Sequence, residues 1–211
     1  MGHIRLDHAS LRDGIRALAA ADPDLASLVE RHGPPPLWAR EPGFVTLVQI
    51  ILEQQVSLAS GAAAYERLIR SLGVVDPATL ADTDPTVLEA AGLTRQKTRY
   101  LGALAAAVMD GSLELDGLAN ADDDTVRASL CALPGIGPWT ADVYLLMALG
   151  RPDAWPAADI ALAAATARVK GLPVRPTMIE MTSLAEAWRP WRAVAARILW
   201  HAYLSEKVAR G

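Results

Sequence analysis

Apolar residues recur at intervals of three and four along most of the chain, and no segment shows the strict alternation of a half-buried strand. The boundaries of these segments carry helix signals, with an Asp, Ser or Thr at the start and a glycine or proline at the end. Asp22-Pro23, Asp76-Pro77 and Asp84-Pro85 each place a capping acid before a proline in the first helical position. The pattern therefore predicts an all-α protein.

The predicted helices are separated by short loops, without internal repeats or low-complexity tracts. Gly33 and the three prolines that follow it predict an extended linker after the first helix. In chain order, the predicted helices are 23–32, 44–53, 58–72, two short ones beginning at 77 and 85, 94–109, 124–132, 139–149, 159–169, 176–187 and 190–208.

The composition is that of a folded domain in a reducing compartment. The chain has 211 residues, of which 52% are apolar, enough to bury a sizeable core in one large domain or two small lobes. Cys131 is the only cysteine, which excludes an intramolecular disulfide and any cluster that needs several thiolates. We expect Cys131 to be a small core residue. The sequence shows neither a membrane-spanning run nor a signal peptide, so we expect a cytoplasmic protein, nucleoid-associated if bacterial, with no membrane partner.

The net charge of −4 argues at first against a nucleic-acid partner. The charge is uneven, however, because residues 1–94 carry 7 Lys/Arg and 12 Asp/Glu, whereas residues 95–211 carry 13 and 12. A neutral-to-basic face is therefore available in the second half. A protein that binds DNA largely through backbone N–H groups would also need fewer cations.

The segment 133–141, LPGIGPWTA, lies between two predicted helices. Gly135 and Gly137 bracket Ile136, and glycines permit a sharp turn with exposed N–H groups. Pro138 suits the first turn of the following helix, whose N-terminus then presents unpaired N–H groups and the positive end of its dipole. The segment predicts a hairpin that holds an anion, most commonly a phosphate, through the main chain.

Asp159 follows Pro156 and two alanines and precedes a predicted helix, so its simplest interpretation is an N-cap. A carboxylate at a helix N-terminus is stabilised there by the dipole and the N–H groups. Beside a phosphate-binding hairpin, it could also stabilise positive charge that develops on a sugar. The two interpretations are compatible.

Tryptophan is unusually frequent, with six Trp against one Phe. Trp139 lies inside the hairpin motif, and Trp188, Trp191 and Trp200 lie near or within the last predicted helix. Tryptophan at helical spacing is usually core, and we expect this of Trp188 and Trp38. Flat aromatic faces also stack on purines, and they bind a cationic base more strongly.

The motifs LPGIGPWTA and PAADIAL (156–162) together resemble the helix-hairpin-helix (HhH-GPD) DNA glycosylase superfamily, in particular its 3-methyladenine DNA glycosylase II branch. The separation of Trp139 from Asp159 matches that branch, and the segments ILEQQVS (51–57) and WRPWRAVAARILWHAY (188–203) are similar to it as well. The resemblance covers the chain from about residue 42 onwards.

The resemblance implies a two-lobed helical fold with a cleft between the lobes. One lobe would comprise about residues 40–150, with the helix-hairpin-helix at about 124–149, and the other about residues 1–39 and 151–211. It also implies double-stranded DNA with damaged bases as partner, and we expect a monomer.

The resemblance further implies a role for each matching residue. Asp159 takes the place of the catalytic carboxylate, Trp139 and Trp200 line the base pocket, and Gln55 fills the gap left by a flipped nucleotide. Gln55 could equally be a polar residue at a helix end. The remaining implied residues are Gly135, Ile136 and Gly137 for the DNA phosphate, and the main-chain carbonyls of Cys131, Leu133 and Ile136 for a structural Na⁺ or K⁺ ion.

The chain departs from its relatives in three ways. Bifunctional relatives carry a nucleophilic lysine where this chain has Trp139, so we expect hydrolysis without strand cleavage. A single cysteine cannot hold the iron–sulfur cluster of some relatives, so we expect no such cluster and no required cofactor. We also expect the chain to lack the β-rich N-terminal domain of longer relatives, because the part before the matching region is short.

One carboxylate suffices if the substrate is an N-alkylated purine. Such a base already carries positive charge and leaves as a neutral molecule, so no acid is needed to protonate it. Two other interpretations stay open: a glycosylase for other damaged or mismatched bases, and a non-enzymatic helix-hairpin-helix DNA-binding module. We expect Glu53, Asp142 and His201 to be structural or solvated, and Asp122-Asp123-Asp124 to form a cap and a solvated turn.

Overall fold

A computed structural model describes residues 5–208, and within this range the chain is helical and contains no β-strand. The all-α prediction is confirmed for these residues. In chain order the helices are α1 (His8–Ala21), α2 (Pro23–His32), α3 (Phe44–Glu53), α4 (Leu58–Leu72), α5 (Pro77–Asp82), α6 (Pro85–Ala90), α7 (Arg95–Met109), α8 (Leu115–Leu118), α9 (Asp123–Cys131), α10 (Pro138–Met147), α11 (Ile160–Val169), α12 (Met178–Ala185) and α13 (Arg192–Val208), with a 3₁₀ turn at Glu186–Trp188.

The predicted caps account for most of the helix starts. The Asp22, Asp76 and Asp84 side chains each accept backbone N–H groups in the turn that follows, with proline in the first helical position. Ser57 and Thr94 cap α4 and α7 in the same way. Within the described residues, no helix has both the length and the apolar character needed to cross a membrane.

The prediction was wrong in several places. It omitted α1 and the short α8, and it extended α10 and α12 beyond their actual ends. Helix α9 begins one residue earlier than predicted because Asp122, the first of the three consecutive acids, caps it. The expected solvated cap at Asp122 is therefore confirmed.

The chain divides into two compact units. The terminal unit comprises Met1–Ala39 and Leu145–Gly211, and the hairpin unit comprises Arg40–Tyr144. Helix α10 begins in the hairpin unit and ends in the terminal unit.

The terminal unit is built around α13, whose residues 193–200 are all buried. Helices α1, α2 and α11 pack against it. Arg197 is 1% exposed and donates hydrogen bonds to the carbonyl oxygens of Leu37, Ala193 and Leu146, so one guanidinium joins the segment after α2 to α10 and α13.

A second polar group in this unit is Asp22, which accepts hydrogen bonds from Lys170 Nζ and from the Trp188 indole N–H, each at 2.8 Å. Burial raises the pKa of Asp22, but these two donors outweigh it and hold the pKa below the ordinary 3.8. The stabilisation is therefore present above pH 3.8 and is lost as the pH falls through the lower folded value. Trp188 is 2% exposed, which confirms its expected core position.

Helix α3 lies at the centre of the hairpin unit. Five residues of α3 are fully buried. Each such aliphatic side chain contributes about 1.5–3 kcal/mol by leaving water. Helices α4 and α7 pack against α3, and α5 and α6 pack against α7. The core residues of α3 are Leu47, Val48, Ile50, Ile51 and Leu52.

Candidate functional site

The predicted hairpin is formed by the end of α9, a turn over residues 132–137 and the start of α10 at Pro138. The backbone closes on itself where the Ile136 N–H donates to the Leu133 carbonyl oxygen at 3.2 Å. Ile136 is 4% exposed, so its side chain anchors the turn in the core of the hairpin unit. The tip of the turn is thereby fixed without any charged side chain.

The two glycines of the turn differ in their backbone conformation and in the space around them. Gly135 has φ +86°, and a Cβ there would lie 2.1 Å from Cγ of Tyr100. Gly137 has no heavy atom within 4 Å of the position of a Cβ, and it is exposed. Packing therefore requires glycine at Gly135, whereas the open space at Gly137 leaves its backbone accessible to a ligand.

Two side chains that the sequence did not identify support this turn. Gln54, at the end of α3, donates from Nε2 to the Gly135 carbonyl oxygen at 2.8 Å and to Thr140 Oγ1 at 3.0 Å. The ring of Tyr100 on α7 packs against Gly135. The only sequence signal for Gln54 was its position beside Gln55, and Tyr100 had none, because both contacts join residues far apart in the chain.

Gln55 follows Gln54 in a left-handed conformation, with φ +58°, and its side chain is exposed. A non-glycine residue in this region carries backbone strain of about 1–3 kcal/mol, which the surrounding contacts must hold in place. Since Gln54 is fixed to the hairpin, Gln55 is held beside it in the chain and directed into solvent. Left-handed residues are common directly after helices, so this conformation fits both expected roles of Gln55.

Asp142, predicted to be structural, pairs with Arg127 across the two helices of the hairpin. Arg127 Nε lies 2.7 Å from Asp142 Oδ1, and Asp142 is 9% exposed. Glu53 likewise pairs with Arg40, with 2.8 Å between Arg40 Nη2 and Glu53 Oε1. These contacts agree with the structural roles expected for the two acids. The expectation for Cys131 was wrong, because its position at the end of α9 leaves it exposed.

Asp159 belongs to the terminal unit and is the N-cap of α11. Its Oδ1 accepts the Leu162 N–H at 2.8 Å, as the sequence predicted, and also the indole N–H of Trp200 at 3.2 Å. The side chain is only partly buried. Two donors on one oxygen fix the direction of a carboxylate that solvent still reaches.

The two tryptophans expected to line a base pocket belong to different units. Trp139 is the second residue of α10, in the hairpin unit, and is half-buried. Trp200, on α13 in the terminal unit, is 9% exposed and directs its N–H to Asp159. The structure brings Trp200 and Asp159 together across 41 residues of sequence.

His201 follows Trp200 in the sequence, and Trp38 packs against His201. His201 shares a hydrogen bond of 2.9 Å with the His32 carbonyl oxygen, which agrees with its expected structural role. Trp38 packs edge-on against His201, with 6.2 Å between ring centroids. The expected core position of Trp38 was wrong, because the residue is only half-buried, with φ +47°.

The predicted cation site consists of main-chain carbonyl groups at residues 131, 133 and 136. The Leu133 oxygen already accepts the Ile136 N–H, which leaves it a second lone pair. No group of three or more His, Cys, Asp or Glu side chains within residues 5–208 is arranged to hold a metal ion.

A known family of proteins matches the part of the chain that contains both the hairpin and Asp159. The family model for the HhH-GPD superfamily of base excision DNA repair proteins matches residues 48–190. A probable bifunctional transcriptional activator/DNA repair enzyme AlkA from Mycobacterium tuberculosis is 36% identical over 192 residues, which is 85% of this chain and 37% of that protein. A putative DNA-3-methyladenine glycosylase from Bacillus subtilis is 28% identical over 83% of this chain and 64% of its own length. The chain thus spans less than two thirds of either relative.

Solved structures share the fold. The 3-methyladenine DNA glycosylase of Schizosaccharomyces pombe, in complex with abasic DNA, superposes with a TM-score of 0.84 at 22% identity and covers 94% of this chain and 98% of that one. A DNA-3-methyladenine glycosidase from Bacillus halodurans superposes with a TM-score of 0.75 at 28% identity and covers 92% and 91%.

Proposed function

Because this chain belongs to the HhH-GPD superfamily of base excision DNA repair proteins, we propose that it is a monofunctional DNA glycosylase that hydrolyses the N-glycosidic bond of N-alkylated purines in double-stranded DNA. The observation that carries the proposal is the Asp159 carboxylate, which Leu162 N–H and Trp200 Nε1 hold in one orientation while it stays partly exposed. The name of the B. subtilis relative, a putative DNA-3-methyladenine glycosylase, supports the substrate class.

The hairpin supplies the grip on DNA. The turn at Gly137 is open to a ligand, and the N-terminus of α10 follows it directly. A DNA phosphate would accept the exposed N–H groups there and would be favoured by the positive end of the helix dipole. The main chain makes these contacts, so the turn itself needs no cationic side chain to bind the phosphate.

The carboxylate supplies the chemistry. As the bond between C1′ and the purine nitrogen breaks, its electron pair goes to the cationic base, which leaves neutral, and positive charge develops on the sugar. Asp159 stabilises that charge and accepts a proton from the water that adds to C1′, so the products are a free base and an abasic sugar. The target nucleotide must leave the helix stack before this step.

Trp139, in place of a nucleophilic lysine, is the reason to expect hydrolysis without strand cleavage. An indole has no amine with which to form a Schiff base, so the sugar is released to water and the strand stays intact. Its half-buried ring instead offers a flat face for the extruded base, which binds more strongly when it is cationic.

Gln55 is proposed as the residue that enters the gap left by that base, since it is exposed and held beside the hairpin. Gln55→Ala should then slow excision from duplex DNA more than excision from single strands. Equal slowing of both would remove this role.

We also propose that a Na⁺ or K⁺ ion binds the main-chain carbonyl groups of Cys131, Leu133 and Ile136, because hard carbonyl oxygens suit such ions. The ion would hold the turn and take no part in the reaction. At equal ionic strength the protein should then unfold at a higher temperature in NaCl or KCl than in choline chloride, and equal temperatures would overturn the site.

The proposed function is tested by incubating the protein with methylated duplex DNA and identifying the released bases by chromatography. The wild type should release 3-methyladenine or 7-methylguanine without cutting the strand. Asp159→Asn keeps the size of the side chain and removes its charge, so excision should fall by about 10³-fold while the Kd for duplex DNA with an abasic-site analogue stays within about twofold of wild type.

Each outcome of this experiment separates two functions. Retained excision in Asp159→Asn would remove Asp159 from the mechanism. DNA binding without release of any methylated base by the wild type would instead favour a non-enzymatic DNA-binding module.

A further inference from the structure

We propose that the first two turns of α7, through Arg95 and Arg99, form a second binding surface for the DNA backbone beside the hairpin. The proposal rests on the proposed function, since it takes duplex DNA as the ligand. It adds a salt-dependent contact to a hairpin that binds through the main chain alone.

Acidic residues outnumber basic ones in the hairpin unit, which carries 7 Lys/Arg and 14 Asp/Glu. Such a unit should repel a polyanion unless its cations are concentrated at one place. Four of the seven cations are engaged inside the unit: Arg40 with Glu53, Arg67 with the Ala91 carbonyl, Lys97 with the Leu52 carbonyl, and Arg127 with Asp142.

Two of the three remaining basic side chains lie on one face of α7. Arg95 and Arg99 are four residues apart, a spacing that places two helical side chains side by side. Both are exposed, and the side chain of Arg95 is 91% exposed. Helix α7 contains no acidic residue, so these two charges are not neutralised on their own helix.

Helix α7 also contacts the hairpin turn through Tyr100. Cζ of Arg99 lies 5.6 Å from the ring centroid of Tyr100, and that ring packs against Gly135. Lys97 fastens the same helix to the end of α3 through its 2.6 Å hydrogen bond to the Leu52 carbonyl oxygen. The Arg99 guanidinium and the hairpin turn therefore both lie close to the same aromatic ring.

Within residues 5–208, the acid that pairs with this surface is Glu89. Its Oε2 lies 3.8 Å from Arg95 Nε, a loose pair in which the arginine is largely exposed and the carboxylate is half-buried. Such pairs are weak, so a phosphate can replace the carboxylate as the partner of Arg95. The guanidinium also suits a phosphate geometrically, since its paired N–H groups match two phosphate oxygens.

The test measures binding to a fluorescent duplex with an abasic-site analogue, by anisotropy, between about 50 and 200 mM KCl. Loss of two phosphate contacts should reduce the slope of log K against log[salt] by about 1.8 and weaken binding about tenfold or more at low salt. Arg95→Gln/Arg99→Gln is the variant, and excision of a methylated base at saturating DNA should stay at the wild-type rate.

Arg70→Gln is the matched control, because Arg70 is exposed in the last turn of α4, in the same unit. It removes one charge in the same way and should leave the salt slope unchanged. Glu89→Gln should act in the opposite direction and tighten binding, because it removes the acid that faces Arg95.

A wild-type slope and affinity in the double variant would overturn the proposal, as would an equal loss in Arg70→Gln, which would indicate a general effect of net charge. Absence of DNA binding by the wild type would overturn it as well. A reduced slope in a protein that releases no methylated base would support the surface while contradicting the proposed enzymatic function.

Discussion

The hairpin turn and the turn before Asp159 present opposite kinds of chemical group. The hairpin presents main-chain N–H groups, and Gln54 and Tyr100 hold its backbone in place. Asp159 presents a single side chain, and there the backbone and Trp200 serve to hold the carboxylate. A group that binds DNA at many positions is well made from backbone, whereas a group that stabilises one atom needs a charge at one point.

This difference predicts that binding and chemistry are separable. Changes in the hairpin should weaken DNA affinity or destabilise the turn, and changes around Asp159 should lower the rate of excision. The two glycines and Trp200 test this separation in order of decreasing expected effect.

Gly135→Ala should have the largest effect, because it combines a left-handed φ of +86° with a Cβ 2.1 Å from Cγ of Tyr100. The ring cannot yield at that atom without moving the backbone of α7. Strain and overpacking together should cost about 3 kcal/mol, seen as a fall of roughly 6–12 °C in the unfolding temperature. Gly137→Ala is the control and should have the same unfolding temperature as the wild type. Equal stability of both variants would contradict the packing role of Gly135.

Gly137→Glu should weaken binding to the abasic-site duplex by about 30-fold, or ~2 kcal/mol, because it places a side chain and a negative charge where a phosphate is proposed to bind. Gly137→Ala, in open space, should lose only a small part of this affinity. The excision rate at saturating DNA should stay near that of the wild type. Unchanged affinity in Gly137→Glu would refute the phosphate site at the hairpin.

Trp200→Phe should have the smallest effect, about a tenfold loss of excision rate, since it keeps an aromatic ring while it removes the N–H that holds Asp159 Oδ1 and part of the ring volume. The Kd and KM should change little, as expected of a residue that positions the carboxylate. Trp200→Ala also removes the ring and should lose more excision than DNA affinity. An equal loss of rate and affinity in both variants would count against any role of Trp200 at the carboxylate.

Much of the fold followed from local signals in the sequence. The acid–proline pairs and the Ser57 and Thr94 caps defined their helices correctly, because capping joins a side chain to backbone N–H groups only two or three residues away. Helix α1 was missed although Asp7 and Ser10 form a complete capping box at its start. The all-α class and the family were also determined by the sequence alone.

The candidate site was determined only in part. The hairpin turn and the N-cap at Asp159 are local structures, and the sequence predicted both. The supports of these structures join distant residues: Trp200 to Asp159 across 41 positions, and Gln54 to Gly135 across 81. Helical periodicity fixes the face on which a side chain lies but not the helix that packs against it.

Sequence therefore decided which residues carry the proposed chemistry, since glycine conformations, prolines and capping carboxylates act over a few bonds. Tertiary structure decided how those residues are held and which cations stay exposed, as with Tyr100 against Gly135 and Arg99 beside it. The physical reason is that packing and the cancellation of charge depend on the whole arrangement of helices, which no single segment specifies.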